Sequence, residues 1–276
     1  MNVLAVMVGN AVTEAGLFAG EQLVASWQMG TAARLTADEA RLQLRSAMAA
    51  FAPAGWLGEG APVRVILGSV VPALTQPWHQ ALEAETGRRV LVMGPRLKTG
   101  IAITCKNPAE VGADRVADAV AARAMAGAPA VAVHLEAATA ITAVDAAGAL
   151  AGGVIAPGFE ASSATLAHVA ARLPEVEAQL PRQVLGKTTQ EAIASGVFWG
   201  EVARIDGLVA MVRTELAAAG EGAASRFGEA AQNIPVLLTG QKAALLAPHL
   251  ACAPALHPHL TLQGLARIAE SAAVRH

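Results

Sequence analysis

The apolar positions of this chain fall into short continuous runs separated by stretches of helical period, and their order carries the first information. Val3-Leu4-Ala5-Val6-Met7-Val8 is uninterrupted, as in a strand buried on both faces, and the turn residues Gly9-Asn10 close it. Apolar stretches around Ala15–Phe18 and Gln22–Met29 predict two more strands. Thr36-Ala-Asp-Glu39 has the spacing of a capping box, which predicts a helix from there to about Phe51, broken by Pro53, Gly55 and Gly58–Gly60. A strand at Val63–Leu67, a helix at 72–86 and a strand at Val90–Met93 complete an alternation that requires a sheet with crossover helices.

The opening pattern then recurs. After an Ala-rich helix ending near Ala126, Ala130–His134 reads as a second buried strand, with hairpin partners at Ile141–Asp145 and Leu150–Ala156. Helix 159–172 follows. A second capping box, Thr188-Thr-Gln-Glu191, starts the longest helical pattern, reaching about Ala219. A polar Gly/Ala/Ser linker is expected at 220–229, a strand at Pro235–Thr239 and a closing helix at Thr261–Ala273. Two similar α/β halves are therefore expected, residues 1–117 and 118–276, with a cleft between them. Paired β-turns in such a fold can clamp phosphates with backbone N–H groups.

Composition narrows the classes. Of the 276 residues 54% are hydrophobic and about a quarter are alanine, yet no window approaches 18 strongly apolar residues, so no membrane span is expected. The amino end has neither a basic region nor a cleavage-like site, and a secretory signal is not expected. Net charge is −2 with no basic stripe, which argues against a nucleic-acid partner. Cys105 and Cys252 stand outside any C-x-x-C or C-x-x-H context, so a reduced, cytoplasmic protein without a zinc site or disulfide framework is the reading. His134 stands alone at a strand end, and His249, His257 and His259 lie among prolines; no metal is assigned to either.

Six landmarks remain: Ser69-Val-Val-Pro72; Gly94-Pro95 with Lys98-Thr99-Gly100; Asn107-Pro-Ala-Glu-Val-Gly-Ala-Asp-Arg115; Gly152-Gly153 with Ala156-Pro157-Gly158; Ser195-Gly196 with Gly200; and Leu260-Thr-Leu-Gln-Gly264. In this order, over roughly residues 3 to 268, they resemble the type III pantothenate kinase family of the acetate and sugar kinase, Hsp70 and actin superfamily. The resemblance implies a two-lobed actin-like (ribonuclease H-like) duplicated fold with a central cleft. It also implies a homodimer whose substrate pocket the partner completes, with the long helix after Thr189 as a source of the interface. Asp114 would be the general base on the pantothenate hydroxyl, with Gly112, Ala113, Arg115 and Thr189 contacting the substrate. Mg-ATP and a monovalent cation (K⁺) would be the cofactors of an active form.

Four family motifs are altered. The first strand of the family ends Asp-x-Gly-Asn-Thr; here Met7 and Ala11 replace the carboxylate and hydroxyl, while Gly9 and Asn10 remain. The second phosphate turn, Asp-Phe-Gly-Thr-Ala-Thr-Thr in the family, is His134-Leu-Glu136-Ala137-Ala-Thr139-Ala here. Glu136 sets a negative charge toward phosphate, where two like charges at about 4 Å repel by roughly 4 kcal/mol at an effective dielectric near 20. Thr-Gly-Gly becomes Thr239-Gly240-Gln241, and the Tyr before Asn-Pro becomes Cys105. In Gly186-Lys187-Thr188-Thr189 the family's Asn is replaced by Thr188. Gly9, Asn10, Thr139, Thr239 and Gly240 would be remnants of an ATP site. The expectation is an inactive or very weak pseudokinase that acts by binding a partner or small molecule, with an active pantothenate kinase, feeding coenzyme A biosynthesis, as the alternative.

Overall fold

A computed structural model describes residues 1–56, 63–170, 172–177, 179–220 and 229–272. The chain opens with strands β1 (Asn2–Val8), β2 (Val12–Ala19) and β3 (Gln22–Gly30), then helix α1 (Ala37–Phe51), β4 (Val63–Ser69), α2 (Pro72–Thr86), β5 (Val90–Val92) and α3 (Ala113–Ala126). The sheet order is β3-β2-β1-β4-β5, with β1 antiparallel to β2 and parallel to β4. Every residue of β1 from Val3 to Val8 is buried, as its unbroken apolar run requires. Leu4, Val6 and Val8 pack with Leu44 of α1 and Trp78 of α2 in one core cluster. The Thr36 capping box is made: its Oγ1 accepts from Glu39 N–H, and Glu39 accepts from Thr36 N–H at 2.8 Å.

The pattern is then repeated by β6 (Ala130–Leu135), β7 (Ala138–Val144), β8 (Leu150–Pro157), α4 (Phe159–Val169), α5 (Thr189–Gly220), α6 (Glu229–Gln232), β9 (Val236–Thr239), α7 (Ala243–Leu246), β10 (Ala255–Leu256) and α8 (Leu260–Ser271). The second sheet is ordered β10-β9-β6-β7-β8, which reversed is the first order with β6 in the place of β1 and β9 in that of β4. The duplication expected from the two apolar openings is thus present in strand order and direction. α5 lays Ile193, Val197, Phe198, Ile205 and Val209 against this second sheet's core.

The boundary differs from the expected one at 117/118. The compact units are Met1–Ala124 with Leu260–His276, and Met125–His259. α8, assigned by sequence order to the second half, packs against β1, β2 and β4 of the first sheet. The physical reason lies in small residues: a Cβ at Gly264 would overlap the Ala117 carbonyl of α3, so the two helices approach backbone to backbone. Thr261 Oγ1 also donates to the buried Asp118 carboxylate at 2.6 Å. Helix α4 stops at Val169, short of the expected 172. The expected breakers Gly58–Gly60, most of the 220–229 linker and the last residue of the closing helix lie outside the described residues. No helix among the described residues is long and apolar enough to cross a membrane.

Candidate functional site

In the first unit the altered strand end is part of the packed interior. Met7 is 5% exposed, and its thioether fills the space beside Gly68, where an added Cβ would stand 2.7 Å from the sulfur. Leu265 of α8 closes the same space. In register Met7 faces Glu14 on β2 and Gly68 on β4. The Gly9 turn is tied by Gly9 N–H to Val12 C=O at 2.9 Å, with Asn10 and Ala11 exposed.

Beside this strand end is a cavity of about 430 Å³, within the range of small-molecule sites. Ser69, Gly94, Thr99, Glu110, Gly112 and Ala113 are among its walls, so the three landmarks of the first half, separate in sequence, meet here. α3 begins at this wall. Asp114 lies in its first turn, and its Oδ1 accepts from Arg115 N–H at 2.7 Å. A Cβ at Gly112 would collide with that same oxygen, so glycine is required for the carboxylate to fold back over the helix start. Neither Asp114, the expected base, nor Arg115 after it is in the cavity wall.

In the second unit the turn after β6 is held between two glycines. A Cβ at Gly158 would overlap the carbonyls of Glu136 and Ala137, and one at Gly240 would overlap the Leu135 carbonyl; Gly240 also has φ +99°. Glu136 does not project freely: its Oε1 lies 3.8 Å from His134 Nε2, and both side chains are largely buried. The repulsion expected of Glu136 is therefore offset whenever His134 is protonated. Gln241 is exposed, and Lys242 beside it pairs with Glu160 of α4 at 2.9 Å.

Sequence reading missed the strongest polar feature. Glu201 on α5 is 2% exposed, and both carboxylate oxygens are engaged: Thr139 Oγ1 donates to one and Arg204 Nη2 to the other. The same guanidinium donates to Pro157 C=O at 2.6 Å. Burial lowers the Arg204 pKa from its ordinary value, though an arginine there stays charged. Thr139, expected as an ATP contact, thus donates its hydroxyl inward to α5. A Glu and Arg three apart amid the apolar run Ile193–Ile205 of α5 was the available signal.

Thr189, the expected substrate contact of the second half, is exposed at the start of α5. The turn before it is fixed: Thr188 Oγ1 accepts from Glu191 N–H, and the Glu191 carboxylate accepts from Lys187 and Thr188 N–H, at 2.7 to 3.2 Å. A Cβ at Gly186 would overlap Ala192 N, and Ser195 Oγ donates to Val184 C=O. Cys252 is a structural residue, since burial first, and then the Asp206 carboxylate, push its thiol up to about 12. Among the described residues no three His, Cys, Asp or Glu side chains gather to hold a metal ion.

Two units of one strand order, each with a glycine-lined turn after its first strand, define a duplicated α/β protein of the actin-like class. A Baf family protein from Campylobacter jejuni has this fold: its crystal structure superposes with a TM-score of 0.56 at 15% identity, covering 97% of this chain and 98% of that one. The family model for type III pantothenate kinase matches residues 3–211, and the chain belongs to that family. The type III pantothenate kinase of Moorella thermoacetica is 35% identical over 266 residues, 95% of this chain and 96% of its own. That of Frankia alni is 36% identical over 268 residues, 97% and 98% respectively.

Proposed function

We propose that this chain is a type III pantothenate kinase homologue that keeps a substrate pocket but transfers phosphate very slowly or not at all. The observation that carries the reading is Met7. Where the family's resemblance calls for a carboxylate to organise cation and phosphates, a buried thioether packs on Gly68 and Leu265. Glu136 and Ala137 at the second turn, and Gln241 after Gly240, point the same way, because none supplies a hydroxyl or bare backbone for a nucleotide. These residues do not fit Mg-ATP with a monovalent cation. Fixed charge and metal supply most of phosphoryl-transfer catalysis, so their loss costs several orders of magnitude in rate.

Retention of the pocket is supported by Gly112 and Ala113 in the wall of the cavity of about 430 Å³, with Asp114 next to them in the first turn of α3. The same feature favours the alternative, an active pantothenate kinase with Asp114 as base. A coupled ADP-release assay with pantothenate, Mg²⁺ and K⁺ separates the two: no turnover is expected, and about one per second overturns the proposal. Millimolar Mg-ATP is expected to give no thermal shift, whereas an occupancy of about 100 times Kd would add roughly 2.7 kcal/mol. Restoring Met7→Asp, Ala11→Thr, His134→Asp, Glu136→Gly, Ala137→Thr and Gln241→Gly together should recover nucleotide binding where single changes do not.

We also read the protein as a cytoplasmic homodimer formed through α5. Gly196, Gly200, Ala203 and Gly207 form an exposed stripe along that helix, and among the described residues nothing beyond the helix's own adjacent backbone lies within 4 Å of a Cβ placed on the three glycines. Helical glycines each cost about 1 kcal/mol against alanine, a cost that close approach of a second helix offsets. A monomeric sedimentation mass at tens of micromolar overturns this reading.

A further inference from the structure

Each five-stranded sheet leaves two edges, and three of the four are blunted. β5 has three residues and β10 two, too short to pair further. β3 is longer, but its pairing with β2 is irregular at Leu17 and Phe18, and Gln22, Ser26 and Gln28 put polar side chains along it. β8 is unlike them. Its eight residues, Leu150–Pro157, include no charged or hydrogen-bonding side chain, its register shift falls at its start, and Ile155 is 64% exposed.

The register decides which backbone groups of β8 face outward. Gly158 N–H donates to Ala137 C=O at 3.1 Å, and the ladder alternates from there, so Ala156 and Val154 exchange bonds with β7. The N–H and C=O groups of Gly153 and Ile155 therefore point to the open edge, and both residues are exposed. The Gly152-Gly153 landmark lies on this stretch, and the fold of the single chain does not require it. Neither glycine has a positive φ, and among the described residues nothing lies within 4 Å of a Cβ on Gly152. Glycine weakens a strand interior and marks a place where another backbone comes close.

The small residues of α5 are too little surface for a stable dimer. From Gly196 to Gly207 they span about 16 Å at 1.5 Å per residue and offer almost no side chain, against about 800 Å² per partner in an ordinary interface. Arg204, next to Ala203 of that stripe, donates to Pro157 C=O at 2.6 Å, which joins the end of β8 to the middle of the helix. Resting on the reading of the protein as a homodimer, we propose that the two copies also pair β8 with β8, antiparallel, about a two-fold axis at Val154. In that register Gly153 of each copy is opposite Ile155 of the other. Each outward N–H then meets a C=O, and Ile155 lies over the bare backbone of glycine. Pro157, with no N–H to give, ends the ladder. The partner is a second copy because the row of outward groups is complementary to itself.

The test uses the full chain with Cys105→Ser and Cys252→Ser, its mass measured by sedimentation. Residues facing each other across the axis would have Cα atoms about 4.5 Å apart, within the span of a disulfide. Val154→Cys is therefore expected to cross-link most of the protein under mild oxidation, while Val24→Cys, 40% exposed on the blunted edge β3, should not cross-link. Ile155→Lys sets two like charges beside the axis and should weaken the dimer by about tenfold or more with an unchanged circular dichroism spectrum. The inference requires both results. In a dimeric parent, the failure of either overturns it and leaves the α5 reading standing; if Ile155→Lys does not fold, the cross-link alone decides. A monomeric parent overturns the dimer reading and this inference with it.

Discussion

Removing the Glu201 carboxylate is the sharpest perturbation of the second unit. In Glu201→Ala, Arg204 keeps Pro157 C=O as an acceptor but loses its counter-charge, and its Nε already has no partner. Thr139, 1% exposed, loses the acceptor of its hydroxyl. Breaking a buried ion pair on one side costs about 3–5 kcal/mol. The Arg204 side chain is 30% exposed and can draw water, which moves its share toward the lower end, while the stranded hydroxyl adds about 1 kcal/mol or more. We expect a loss of about 4 kcal/mol, on the order of 10 °C in Tm for a unit of this size. Urea unfolding followed by circular dichroism measures it. Glu201→Gln, which keeps an acceptor for Thr139, should fall between. The pair Glu201→Met with Arg204→Met should recover most of the loss, because apolar replacement of both partners removes the uncompensated charge. A Glu201→Ala variant within 1 kcal/mol of the parent, or a double variant as unstable as the sum of the singles, would refute the argument.

Other outcomes follow from the same geometry. Gly264→Ala sets a methyl on the Ala117 carbonyl, a backbone atom that cannot step aside, and should cost about 1–3 kcal/mol by urea unfolding. The Arg45 guanidinium, seconded by Arg41, holds the Glu85 carboxyl below its usual range. Its contribution is therefore present above the unfolded value near 4.3 and lost as pH falls through the lower folded value, so Glu85→Gln should flatten the acid limb of a stability–pH curve and leave the alkaline limb unchanged. Cys252, with its thiol at about 12, is about one part in ten thousand thiolate at pH 8, and mass spectrometry after brief alkylation of the native protein should find it unmodified.

How much of this was legible beforehand depends on the range of the interaction. The strand β1, both capping boxes and the repeated opening could be read directly, because an unbroken apolar run and an S/T-x-x-E spacing act over a few residues. The family landmarks were legible too, and the structure gives several their reason: Gly112 yields to Asp114, Gly186 to the first turn of α5, Gly264 to α3. Met7 was legible as a lost carboxylate; that its sulfur is matched to the bare backbone of Gly68 depends on the register of two strands 61 positions apart.

Sequence alone determined the alternation of elements, their duplication and the chemistry available at each turn, since these follow from period and side-chain type. Tertiary structure decided where α8 goes, that Glu136 turns to His134, and that Thr139 serves Glu201 instead of a ligand. Each of these is a choice among partners of similar chemistry, and burial makes the choice: a buried polar group must find a partner, and only the packed chain determines which one is within reach.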